Sequence, residues 1–133
     1  MDTDAEGRMP DPPRVELWAL PKIVEIRAVR VRYRQPRQHM FRGQVVDAPE
    51  GVEFLVRTDG EIPVRALAAA LYVGDVELAE SEQVEENLYR FTAFPEEADR
   101  LQPGAPIGLG WVGYPERRAR TRYRFRIAGE ETR

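Results

Sequence analysis

The stretch TRYRFRI at residues 121–127 constrains the fold of this chain more than any other. Tyr123, Phe125 and Ile127 alternate strictly with Arg122, Arg124 and Arg126. A period of two places successive side chains on opposite faces of an extended strand, so this one is expected to be apolar on one face and cationic on the other. Residues 29–34 repeat the pattern, with Val29, Val31 and Tyr33 alternating with Arg30, Arg32 and Arg34. Two strands from opposite ends of the chain are therefore expected to turn an apolar stripe inward and an arginine ladder to solvent.

The intervening chain reads as further short strands. Residues 22–34 form the first long strand, and 35–37 turn the chain. Residues 40–47 alternate weakly, 48–51 are a turn by composition, and 51–58 are a strand. Asp59-Gly60 is a hairpin signal, because both residues tolerate the positive φ of tight hairpin turns. Pro63 demotes the residues after it to an edge, a bulge or a bend. The alanine- and leucine-rich residues 66–70 lead into a strand rather than a helix, because 71–73 and 76–79 flank Gly74-Asp75 as a hairpin would. Residues 81–86 read as an exposed acidic loop and 88–94 as a strand. Pro95 followed by two glutamates suits the first turn of a short helix over 95–101. Proline and glycine at 103–106 break that helix, and 107–112 are the penultimate strand.

About seven to nine strands with a turn signal every 8–12 residues predict an all-β fold, an immunoglobulin-like antiparallel β-sandwich with one short helical crossover. A small closed β-barrel is the alternative. The antibody-type Cys…Trp…Cys hallmark is absent, so "immunoglobulin-like" describes architecture alone. Of the 133 residues, 1–14 read as a flexible acidic, proline-rich tail, 15–129 as one domain and 130–133 as a second tail.

Composition excludes several functions. There is no cysteine, hence no disulfide and no thiolate metal site. No apolar run is long enough for a membrane helix, and residues 1–14 lack the apolar core of a signal peptide, so no membrane partner is expected and the expected location is cytoplasmic. Gly108-Leu109-Gly110-Trp111-Val112-Gly113 matches the dinucleotide-binding string. That string works only where it opens a helix, and here Pro106 and Pro115 flank it with no helical pattern beyond. On a strand, Ile107, Leu109 and Trp111 would face the core. Gly108 and Gly110 would then face outward as a flat place where another backbone can dock. His39 is the only histidine and Ser81 the only serine, with no nucleophile-elbow sequence around Ser81. Catalysis, a cofactor and a metal are not expected.

Charge supplies the remaining signal. The net charge is −3, yet residues 22–42 carry seven basic residues and one acid, and 117–127 carry six arginines and no acid. Residues 43–116 carry four arginines against fifteen acids. In immunoglobulin-like domains the first and last strands often adjoin, which would bring Arg30, Arg32 and Arg34 beside Arg122, Arg124 and Arg126. Like charges opposed across strands are destabilising and call for compensation. Glu25, Glu53 and Glu77 are candidates within the chain. An acidic protein (another copy of this one included) or a nucleic acid are candidates outside it. A pI near 5.3 and the lack of exposed aromatics among the arginines favour protein over nucleic acid. The expected function is a non-enzymatic module binding a protein partner through Arg30, Arg32, Arg34, Arg122, Arg124, Arg126, Gly108 and Gly110.

Overall fold

The computed structural model describes residues 19–32, 40–41, 44–45 and 50–128, with side chains for 19–32 and 50–128. The expected tails at 1–14 and 130–133, Arg34 and the turn after it, and His39 lie outside the described residues. The elements run β1 (Ile23–Arg32), β2 (Met40–Phe41), β3 (Gln44–Val45), β4 (Glu50–Thr58), β5 (Ala69–Val73), β6 (Val76–Leu78), β7 (Glu80–Glu85), β8 (Leu88–Ala93), α1 (Pro95–Ala98), β9 (Pro106–Trp111) and β10 (Ala119–Arg124). Among the described residues, eight strands form two four-stranded sheets, ordered β1-β4-β8-β7 and β10-β9-β5-β6, and β2 pairs with β3. Every ladder is antiparallel.

The two sheets share one core. On β4, Val52, Phe54 and Val56 are buried, and on β8 so are Tyr89, Phe91 and Ala93. Register places them together, Val52 opposite Ala93, Phe54 opposite Phe91 and Val56 opposite Tyr89. Ile107, Leu109 and Trp111 of β9 join the same cluster with Leu71 and Val73 of β5. Phe125, just beyond β10, packs on Phe54 with ring centroids 5.6 Å apart and so ties the second sheet to the first.

The hairpin expected at Gly74-Asp75 is present: Val73 pairs with Val76, and Gly74 takes φ +61. The crossover helix is a single turn, Pro95–Ala98. The Phe94 N–H donates to Glu97 Oε1 at 3.0 Å, and proline occupies the first turn, where it withholds no needed donor.

Three expectations are corrected. Asp59-Gly60 is not a hairpin, because β4 and β5 lie in different sheets. Asp59 instead closes a reciprocal pair with Lys22, its Oδ1 accepting the Lys22 N–H and its own N–H donating to the Lys22 carbonyl, both at 2.9 Å. The acidic residues expected as a loop at 81–86 form strand β7, paired with β8 through a turn where Asn87 adopts φ 59. With all six of its residues exposed, β7 carries no apolar alternation to mark it. The barrel alternative also fails. Among the described residues, β1 meets the chain beyond β10 through one bridge only, Ala28 to Ile127 in parallel, and no ladder joins β6 to β7.

Candidate functional site

The edge strands β1 and β10 belong to different sheets and face each other across an open seam. Past Arg124 the chain leaves its sheet. The Phe125 N–H donates to the Ala105 carbonyl and the Gly104 N–H to the Phe125 carbonyl, each at 2.8 Å, seating the Phe125 ring on the core. The Ala128 N–H then donates to the Ala28 carbonyl at 2.8 Å, and the Tyr123 hydroxyl donates to the Val24 carbonyl at 2.8 Å. Val24–Tyr123 and Ala28–Ile127 share an offset of 99 residues, so the two segments run in step without a continuous ladder.

That seam is a groove of about 1080 Å³. Val52, Phe54 and Ile107 lie beneath it, each no more than 2% exposed. Among the described residues its lining is cationic, with Arg27, Arg30, Arg122, Arg124 and Arg126 set against one acid, Glu25. The Glu25 carboxylate is engaged with Arg57, 3.5 Å away. Arg122 lies over the Tyr123 ring, 5.6 Å from its centroid, and Arg124 Nη1 donates to the Gly104 carbonyl at 3.1 Å.

The orientation expected for β1 is reversed. Directly opposed residues of an antiparallel pair share a face. Ile26 opposes Val56, Ala28 opposes Phe54 and Arg30 opposes Val52, whereas Val29 opposes Glu53. Arg30 is therefore on the face that sheet one turns toward sheet two, and Val29 and Val31 are on the outer face. Arg30 remains exposed because the sheets are splayed along this seam. Arg32 does not line the groove; its Nη2 meets Glu50 Oε2 at 2.8 Å, and that bond holds the Glu50 carboxyl below its ordinary range. Of the expected ladder residues, Arg30, Arg122, Arg124 and Arg126 come together, Arg32 stands apart, and Arg34 lies outside the described residues.

The acids nominated as internal compensation are used elsewhere. On the outer face of sheet one, Arg57 lies between Glu25 and Glu85 at 3.5 and 3.6 Å, and Arg90 between Glu53 and Glu82 at 3.5 and 3.1 Å. Glu77 Oε2 lies 2.7 Å from the Tyr72 hydroxyl and accepts the Gly113 N–H at 2.7 Å. The Tyr72 hydroxyl is equally close to the Trp111 carbonyl. Burial first, then the Glu77 hydrogen bond and charge, push the Tyr72 phenol up to about 12.

The glycines are also corrected. Gly108 and Gly110 are buried rather than presented on an open strand face. A Cβ on Gly110 would lie 3.0 Å from Arg118 Cα and 3.1 Å from Tyr72 Cε2; one on Gly108 would lie 3.1 Å from the Ala119 carbonyl oxygen. The backbone that approaches them is the chain's own, and the Arg118 guanidinium sits 5.4 Å from the Tyr72 ring centroid. Arg27 as a groove residue is not marked in the sequence, since it lies off the parity of Arg30 and Arg32. Arg118 continues the alternate-residue run of Arg120, Arg122, Arg124 and Arg126, but nothing in that run marks it as the cover over the glycines.

The dinucleotide-like string occupies β9 and the turn after it, followed by a three-residue 3-10 turn at Pro115–Arg117. Ser81 is exposed on β7. Among the described residues, no three His, Cys, Asp or Glu side chains cluster as metal ligands, and no helix is long and apolar enough to cross a membrane. No family model, characterised protein or solved structure matches the chain.

Proposed function

We propose that this chain is a non-enzymatic interaction module, an immunoglobulin-like β-sandwich whose arginine-lined groove binds an acidic protein segment. The architectural part is supported by the strand orders β1-β4-β8-β7 and β10-β9-β5-β6 and by the parallel contact of the last strand's continuation with the first. The observation that carries the functional part is the convergence of Arg30, Arg122, Arg124 and Arg126 on one seam where, among the described residues, the one lining acid, Glu25, is engaged with Arg57. Val52, Phe54 and Ile107 beneath are closed to solvent, and the accessible lining combines the arginines with Ile26, Ala98, Pro103 and Tyr123, a surface suited to carboxylates and to the short apolar side chains between them. Tyr123, the aromatic at the wall, is half-buried with its hydroxyl committed to Val24, which leaves little ring face for stacking a base.

The test titrates the protein against a fluorescein-labelled peptide alternating glutamate with valine, and separately against a labelled single-stranded oligonucleotide, following anisotropy. Saturable peptide binding that falls by about tenfold or more in Arg122→Gln/Arg126→Gln supports the reading. Preferential oligonucleotide binding with a steep salt slope would replace it with a nucleic-acid reading, and no binding of either probe would remove it.

A further inference from the structure

Sheet one is electrically asymmetric from edge to edge. At one edge is β1 with the arginine groove; at the opposite edge, beyond β4 and β8, is β7. All six residues of β7 are exposed, including Glu80, Glu82 and Glu85, and Glu86 comes next in the exposed turn. Ser81 and Gln83 oppose the buried Phe91 and Tyr89, so they stand on the inner face yet reach solvent. The β7 edge, like β1, overhangs the core. Acids along this edge disfavour pairing β7 with a second β7, and arginines disfavour pairing two grooves. Only unlike edges attract.

We propose, resting on the reading of the groove given above, that its occupant is the acidic β7 edge of a second copy of this chain, so that copies associate head to tail. Side chains two apart on any strand repeat every ~6.6–6.8 Å, so Glu80 and Glu82 of one β7 match the spacing of Arg122 and Arg124 on the β10 of another copy. The contact is between side chains rather than a ladder, since Ala128 already occupies the Ala28 carbonyl that an added strand would need. Groove and edge are different surfaces of one molecule. The contact is therefore heterologous, and each copy can give and receive at once, making rings or open filaments. Glu82 and Glu85 keep their bonds to Arg90 and Arg57, because a carboxylate has capacity for more than one donor.

The test is sedimentation velocity on the wild type, on a groove variant (Arg122→Gln/Arg126→Gln) and on an edge variant (Glu80→Gln/Glu86→Gln). These four residues are exposed, and circular dichroism checks that both variants fold. The wild type is expected to sediment as concentration-dependent species larger than a monomer that dissociate at high salt. Each variant alone is expected to be monomeric, and their equimolar mixture to form a one-to-one dimer and nothing larger, because only one intact groove and one intact edge can meet. A monomeric wild type, a variant that assembles like the wild type, or a mixture that stays monomeric overturns the proposal. If the wild type is monomeric but still binds the glutamate–valine peptide, the groove reading stands and only its occupant is wrong; if neither occurs, both fall.

Discussion

Arg30 stands directly opposite Val52 across β1 and β4, so a guanidinium shares the inner face of sheet one with a side chain that is 1% exposed. A charge is tolerated there because Arg30 lies on the open seam and is exposed. Arg30→Met retains the stem and removes the charge. It is expected to leave stability within about 0.5 kcal/mol in urea titration and to weaken binding of the acidic peptide.

Gly110 and Arg118 are in backbone-level contact. Gly110→Ala places a methyl 3.0 Å from Arg118 Cα and 3.1 Å from Tyr72 Cε2, neither the loose end of a flexible side chain. The expected cost is about 1–3 kcal/mol, read from the urea midpoint at unchanged slope.

The Tyr72 hydroxyl lies between Glu77 and the Trp111 carbonyl. Tyr72→Phe leaves a buried acceptor with one donor fewer and is expected to cost about 1–3 kcal/mol. The phenol titrates at about 12 in the folded protein, above its ordinary 10.0, so folding favours its neutral form. Its contribution is complete below pH 10 and is lost as pH rises through about 12. The stability of Tyr72→Phe, measured by urea titration across that range, should fall less steeply than that of the wild type.

Phe125 holds the strap that leads from β10 to Ala28. Phe125→Ala removes a 6%-exposed ring packed on Phe54 and is expected to cost about 3–5 kcal/mol. Hydrogen exchange should show the Ala128 amide losing protection before the amides of β4.

Where the sequence alternates, the fold is legible in it. Residues 121–127 and 88–94 bury Phe125, Ile127, Tyr89 and Phe91 as their period demands. Strand β7 is illegible because it buries nothing and is held by backbone pairing to β8 and by Arg90 and Arg57. The facing of β1 misleads for a related reason. Val29 and Val31 are more apolar than Arg30 and Arg32, but the register with β4 is fixed by Ile26 and Ala28, which share the parity of the arginines. Composition alone does not reveal that the layer gap opens at Arg30. Gly108 and Gly110 signal close backbone approach, though not that Arg118, eight residues beyond Gly110, makes it.

The measurement that bears most directly on the groove is an amide ¹H–¹⁵N chemical-shift titration with the peptide Glu-Ser-Glu-Gln-Val-Glu, the sequence of β7. The account predicts saturable shifts concentrated at residues 24–30 and 122–128, and their loss in Arg122→Gln/Arg126→Gln. Shifts centred on the outer face of sheet one around Arg57 and Arg90, or shifts unchanged by the double substitution, would contradict it.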